Sequence, residues 1–347
     1  MNLAHVEATV REGVADGVFP GACFAFGRGH ELRVGAVGSF TYAPDSRPVT
    51  LDVRWDLASL TKVLATTTAA MRLEADGFLT IDASVRSILP GIADPEITIR
   101  QLLTHKSGLI PFRPYHNTLS TLDQLKAAVL AEPPKTPPGT ATAYSDLNML
   151  LLQWCIEAIS GQPLDEFCQA NIWNRLELEE TGFKPTVAEQ CAPTEPVETW
   201  RLALRRARGI ESEGAVYTQG EVHDPTAMLA GGVAGHAGLF SSVGDVALFA
   251  IAVLENRLVP AETWERWTRR QSEASTRALG WDTVLSGTPF GPRTFGHTGF
   301  TGTSIWIDPD SRFWAVLLSN RVHPTAANAK IIEFRRRYHA AVWESIL

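Results

Sequence analysis

With 347 residues, 45% of them hydrophobic and 20% charged, the chain can bury a sizeable core as one large α/β domain or two interlocked lobes, which excludes a linker, a collagen or a disordered tail. A formal charge of −7 argues against a nucleic-acid partner, because counterion release needs a basic face. The two arginine-rich stretches, 201–208 and 335–337, read as solvated helix faces.

Leu3, Val6, Val10, Val14 and Val18 recur at helical spacing and predict a first amphipathic helix, stopped by Pro20-Gly21. Residues 22–27 and 32–37 predict a hairpin around Arg28-Gly29-His30-Glu31, and 41–54 reads as loop. Helical patterns follow over 60–75, 99–105, 122–131 and 147–159, each closed by a glycine or proline. The stretch 200–220 has no assignable period. A further helix over 246–254, strands over 303–307 and 313–318 about the turn Asp308-Pro309-Asp310, and a last helix over 326–343 complete the chain. The order implies an α/β (α+β) fold: residues 1–56 and 275–347 build an antiparallel sheet flanked by terminal helices, and 57–274 form an inserted, mainly helical lobe, with a site in the groove between them.

Four cysteines, Cys23, Cys155, Cys168 and Cys191, have no zinc spacing and read as buried free thiols. No apolar run of about 18 residues could span a bilayer, and residues 1–7 lack the basic and apolar regions of a leader, so a cytoplasmic, membrane-free protein is expected.

The chemistry centres on Ser59-Leu60-Thr61-Lys62, where the strand-like run 53–57 gives way to a helix. A serine hydroxyl is a weak nucleophile until a base takes its proton. A lysine one turn later brings an amine within reach, and partial burial would lower its basicity toward a useful range. The helix start adds N–H groups for an oxyanion. The bland alternative is a helix-capping serine with an exposed lysine. Of six lysines, however, Lys62 alone has a serine three residues before it.

Beyond this motif the chain resembles the serine β-lactamase and penicillin-binding-protein-like hydrolases, in particular the class C type with its esterase and D-peptidase relatives. The resemblance runs through Gly17-Val18-Phe19-Pro20-Gly21, Leu57-Ala58-Ser59-Leu60-Thr61-Lys62, Leu102-Leu103-Thr104-His105-Lys106-Ser107-Gly108-Leu109, Pro138-Gly139 before Tyr144-Ser145-Asp146, Gly238-Leu239-Phe240-Ser241-Ser242 before Asp245, and Gly296-His297-Thr298-Gly299. It implies a β-lactamase/transpeptidase-like fold, no cofactor and no metal, and a small-molecule or short-peptide substrate. It also implies a tyrosine sharing protons with the Ser/Lys pair. Tyr115-His116-Asn117 matches the family letters, but Tyr144 follows Pro-Gly and opens an apolar helix, as the family pattern does. Lys106-Ser107-Gly108 resembles the third motif in letters, whereas His297-Thr298-Gly299 lies in the β-rich region where that motif belongs. By the resemblance His297 assists proton transfer or orients substrate with Thr298 and Gly299, and the Phe300 N–H joins that of Ser59 as oxyanion donor.

Residues 222–225 (Val-His-Asp-Pro) and 235–238 (Gly-His-Ala-Gly) place His223, Asp224 and His236 in polar loops. Their spacing fits no zinc pattern, and loop anchoring is the simpler role; the stretch resembles family members that trim cell-wall fragments. His105 reads as structural. Asp146 stands where lactamases and cell-wall peptidases present an asparagine amide, and a carboxylate cannot donate to a substrate carbonyl. An esterase, small-amidase or peptidase is therefore expected ahead of a β-lactamase, D,D-peptidase or muropeptide amidase. An inactive ligand-binding relative is the reading from another class. Oligomeric state is not legible.

Overall fold

Period-two patterning governs the centre of the molecule. In a computed structural model, which describes residues 1–209, 216–284 and 289–346, six antiparallel strands form the main sheet. Its strands are β1 (Gly21–Arg28) and β2 (Glu31–Gly38) from one end of the chain, and four from the other end. Three short strands elsewhere, β3 (Trp55–Asp56), β4 (Gly182–Phe183) and β5 (Leu239–Ser241), form a second sheet in the order β3-β5-β4. The remaining four are β6 (Asp282–Thr283), β7 (Phe295–Thr298), β8 (Ser304–Asp308) and β9 (Phe313–Ser319), and the main sheet runs β2-β1-β9-β8-β7-β6. Residues 210–215 of the unassigned stretch 200–220 lie outside the described residues.

Strand β9 is buried along its whole length because both faces of the sheet are covered. Phe313, Ala315 and Leu317 face a core shared with Val6, Val10, Phe334, Tyr338 and Val342 of the terminal helices. Trp314, Val316 and Leu318 face the larger core, where the helix Val243–Leu254 lies against the sheet. This alternation is what a pleated strand imposes on side chains two residues apart. On the terminal side, Phe19 meets Phe334 edge to face with ring centroids 5.0 Å apart. All four cysteines are buried and unpaired. Among the described residues no helix is long and apolar enough to cross a membrane.

Two predicted helices differ in a way that bears on the site. The run 60–75 is a one-turn 3-10 helix at Ala58–Leu60, a π-type turn over Lys62–Thr67 and an α-helix over Thr68–Ala75. Two hydroxyls add to the wider turn: Thr68 donates to the Val63 carbonyl at 2.7 Å, and Thr66 to that of Gly235 at 2.7 Å. The last helix starts at Ile331, not near 326. The carbonyls of Ala326 and Asn328 are taken by Arg321, and the Asn328 amide donates to the carbonyls of Gly17 and Val18, so this segment is held as a loop.

Because Phe334 is 1% exposed and fills the space between the first helix, Phe19 and the sheet, Phe334→Ala is expected to lower stability by about 3–5 kcal/mol. A matching drop in the urea midpoint with an unchanged denaturant slope is the measurement.

Candidate active site

Ser59 follows directly from β3, on the 3-10 turn Ala58–Leu60. This turn enters through an uncommon backbone conformation, Ala58 at φ 46°. Asp56 secures it: one carboxylate oxygen accepts from the Ala58 N–H at 2.8 Å, and the other from the His223 N–H at 2.6 Å. Burial raises the Asp56 carboxyl above its ordinary value, against the pull of these two N–H donors. The Leu57 N–H donates to Leu239 O at 2.9 Å and the Leu239 N–H to the Thr61 hydroxyl at 3.1 Å, which fixes the nucleophile segment against β5.

Lys62 is fully buried and uses its ammonium threefold. Nζ donates to Ser59 Oγ at 2.9 Å and to the His236 carbonyl at 2.9 Å, and it pairs with Asp146 Oδ1 at 2.8 Å. Burial works against its charge, but Asp146 and then Tyr144 outweigh burial, so the ammonium is held above the ordinary lysine value. This corrects the expectation that burial would make Lys62 a readier base. The acid that sequence reasoning assigned to substrate contact is instead its counter-ion.

Tyr144 lies beside this group, its ring centroid 5.0 Å from Lys62 Nζ and 5.9 Å from the His297 ring. Tyr115 is elsewhere, buried on a short turn with its hydroxyl directed at Glu132. Lys106-Ser107-Gly108 is likewise outside the group: Gly108, at φ 78°, ends a turn in which a Cβ would lie 2.0 Å from the Thr136 carbonyl.

Strand β7 delivers His297 and Thr298, and the turn after it carries Gly299 and Phe300. His297 Nδ1 bonds the Thr298 carbonyl at 2.8 Å, and burial, with Arg277 and Lys62, holds the imidazole well below its ordinary value. His105, read as structural, is also here, its ring 4.6 Å from Tyr144, and the same three causes depress it. The turn is stitched to the nucleophile strand: the Thr301 hydroxyl donates to Asp56 O at 2.7 Å and that of Thr303 to Leu57 O at 3.0 Å. Gly299 is required for the close approach, since a Cβ there would lie 2.5 Å from Leu57 O. Helix geometry leaves the Ser59 N–H without an internal partner, and the Phe300 N–H has no acceptor in the protein among the described residues.

The two polar loops divide. His236 contributes its carbonyl to Lys62 and pairs through Nε2 with Asp224 Oδ1 at 2.9 Å; burial disfavours the Asp224 charge, but His236 brings its carboxyl below the usual carboxylate range. Asp224 also caps the helix Pro225–Leu229. Ligand atoms of Asp146, Asp224 and His236 come within 4.8 Å of one another, yet Asp146 is paired with Lys62 and Asp224 with His236. His223 is partly buried, its ring 5.7 Å from that of the exposed Phe300 and its Nε2 2.7 Å from Glu195.

Sequence reasoning missed Asp56, Glu195, Arg277 and several arginines. The expectation of solvated faces fails at Arg201 and Arg205, which are buried on the helix Thr199–Ala207 and paired with Glu221. Arg201 also donates to the His223 carbonyl at 2.7 Å, fixing the loop. Their four-residue spacing on one helix face is the signal that could have suggested an inward pair. Arg277 has its guanidinium 5.0 Å from the Tyr144 ring centroid.

With this geometry in place, comparison with known proteins is informative. The beta-lactamase family model matches residues 6–340. A relative from Escherichia coli (strain K12) named "Putative D-alanyl-D-alanine carboxypeptidase" is 34% identical over 308 residues, 79% of this chain and 70% of its own. Among solved structures, EstCE1, a hydrolase with promiscuous acyltransferase activity, superposes with a TM-score of 0.78 at 23% identity, covering 98% of both chains. A class C beta lactamase from Rhodobacter sphaeroides gives 0.74 at 20% identity over 99% of both. These two likenesses establish the fold, a β-lactamase/transpeptidase-like arrangement of antiparallel sheet and helices.

His105 and His297 generate a prediction about acid. Both bind protons less readily folded than unfolded, so stability is fully present above the unfolded value near pH 6.5 and is lost as pH falls below it. The contribution of these two histidines to stability against urea should be flat above about pH 7.5 and weaken by up to roughly 1.4 kcal/mol per pH unit per histidine between about 6.5 and 5.5. His297→Gln should reduce that slope, and a profile identical to wild type would count against the assignment.

Proposed function

The chain belongs to the beta-lactamase family of serine hydrolases, and from that premise we propose that it transfers an acyl group to water through a covalent intermediate on Ser59, its substrate a short peptide or a small ester or amide. The observation that carries this reading is the three-way bonding of the fully buried Lys62, which orients Ser59 Oγ. Because the ammonium donates to Oγ, the hydroxyl proton of Ser59 points away from Lys62. In the first step Ser59 Oγ bonds to the substrate carbonyl carbon as its proton passes to Tyr144 Oη and the Tyr144 hydroxyl proton passes to the leaving-group atom. The carbon–leaving-group bond then breaks from the protonated leaving group, and a water frees the acid by the same relay, its proton passing to Tyr144 Oη and the Tyr144 hydroxyl proton to Ser59 Oγ. The Ser59 and Phe300 N–H groups receive the charge developing on the carbonyl oxygen. Thr298 at the end of β7 and Gly299 in the turn after it border the path along which substrate would lie, His297 is a neutral proton partner beside Tyr144, and no cofactor enters.

Within this reaction class a peptide with a free C-terminal carboxylate is favoured. Its leaving group would emerge on the Tyr144 side, where Arg277 supplies a cation, and the relatives named as D-alanyl-D-alanine carboxypeptidases add support. β-Lactam turnover is disfavoured, since Asp146 is engaged with Lys62 and has no amide hydrogen to offer a substrate.

Wild-type protein is expected to release nitrophenol from nitrophenyl acetate and D-alanine from an acyl-D-alanyl-D-alanine peptide, cleaving the C-terminal amide of that peptide about tenfold less efficiently or worse. Ser59→Ala should abolish each activity, roughly a 10⁴-fold loss or more. Equal rates for wild type and Ser59→Ala would sink the mechanism. A second variant tests the ion pair. Asp146 raises Lys62, so activity that needs the ammonium persists until pH climbs through that raised value; Asp146→Asn should move the alkaline limb of kcat/KM to lower pH. An unmoved limb would show that the pair does not govern catalysis.

A further inference from the structure

We propose that Arg335, on the last helix, is a positioning residue for the oxyanion hole: by donating to the Gly299 carbonyl it aims and polarises the peptide group whose other end is the Phe300 N–H. The inference rests on the reading of Phe300 as an oxyanion donor. Its neighbours behave as a helix surface should, with Arg336 pairing with Glu333 and Arg337 with Asp16. Arg335 turns inward. Its Nη2 donates to Gly299 O at 2.6 Å and to Thr303 O at 2.7 Å, while its Nε is cut off from solvent without a partner. Among the described residues no carboxylate lies within ion-pair distance, and the adjacent cation is Arg321. Burial, with Arg321, pulls the guanidinium down to about 10, which leaves it charged at neutral pH.

A guanidinium set among backbone carbonyls without an acid is an expensive way to close a turn; a neutral donor could do that. What a cation adds is polarisation. Gly299 C=O and Phe300 N–H belong to one planar group, and a charge-assisted bond at the oxygen draws electron density from the nitrogen and strengthens its N–H as a donor. The same turn is fixed on every side. The Gly299 N–H donates to Thr303 O at 2.7 Å, Arg321 Nε donates to Phe300 O at 2.7 Å, and Gly299 is wedged against Leu57 O. A small rotation of this peptide would therefore change the proposed oxyanion donor, not the binding of substrate elsewhere.

The test compares wild type, Arg335→Met and Arg335→Lys, using nitrophenyl acetate turnover and the affinity of phenylboronic acid, which forms a tetrahedral adduct on a serine. Arg335→Met is expected to lose about 10- to 100-fold in kcat and in boronate affinity, with KM changed less than about threefold. Arg335→Lys, which keeps a charged donor, should recover part of both. The carbonyl stretch of the acyl-enzyme should move to higher frequency in each variant as the oxyanion donor weakens, a signature that loss of packing does not produce. If Arg335→Met fails to fold, Arg335→Lys carries the same three readouts. Turnover, boronate affinity and carbonyl frequency all within twofold or unshifted from wild type in the folded variants would overturn the proposal, as would a loss confined to KM. Ser59→Ala turning over ester like wild type would instead remove the acyl-enzyme reading itself, and this inference with it.

Discussion

A lysine with no exposed surface must find an acceptor for each of its three protons, and Lys62 finds them on three separate stretches of chain. Ser59 Oγ comes from the turn after β3, the His236 carbonyl from the loop before β5, and the Asp146 carboxylate from the start of the helix Asp146–Ser160. Leaving the Asp146 contact unmade would strand a buried charge, a penalty of several kcal/mol, and leaving either other proton without an acceptor costs roughly 1–3 kcal/mol, so convergence of the three stretches is strongly favoured. Asp146 is also the first residue of its helix, where the aligned backbone dipoles favour an anion. The pair therefore sits on a local field that suits it.

A second set of bonds brings the sheet to the same point. The hydroxyls of Thr301 and Thr303 reach the carbonyls of Asp56 and Leu57, joining the turn after β7 to the strand before Ser59. Since β7 is held in the main sheet through β8 and β9, the rigidity of the central sheet passes directly to the nucleophile. Asp56 completes the bracket by holding both the Ala58 amide and the His223 loop. A backbone conformation such as that of Ala58 persists where its surroundings over-determine it, and these bonds do so.

The sequence made legible those features that depend on periodicity or on neighbours along the chain. Alternation in 313–318 and the helical run 147–159 follow from which face is buried, and the core bears out the strand and helix placed there. Ser59 and Lys62 were readable because their spacing is local. Asp146 was named but given a substrate-binding part; its pairing with Lys62 is a contact across 84 positions that no spacing rule reports. The buried Arg201 and Arg205, and the inward Arg335, were misread for a related reason: a long side chain can reach inward from an otherwise polar helix face, so local polarity says little about where its charge ends. The π-type turn over Lys62–Thr67 was invisible because it is tied to a carbonyl 169 positions away, that of Gly235, through the Thr66 hydroxyl.

The charge arrangement then constrains how the site can act. Asp146 offsets the Lys62 ammonium and Asp224 accompanies His236, while His105 and His297 are kept neutral by burial and neighbouring cations. Beyond Arg277 on the Tyr144 side, itself 3.6 Å from Asp282, little unbalanced charge is left at the site to meet an oxyanion. Stabilisation of the tetrahedral intermediate must then fall mainly on fixed backbone dipoles, whose contribution depends on alignment more than on strength. That dependence gives a reason for the turn after β7 to be tied down by two threonines, a glycine without room for a Cβ, and two arginines, when a surface turn of this length ordinarily needs none of them.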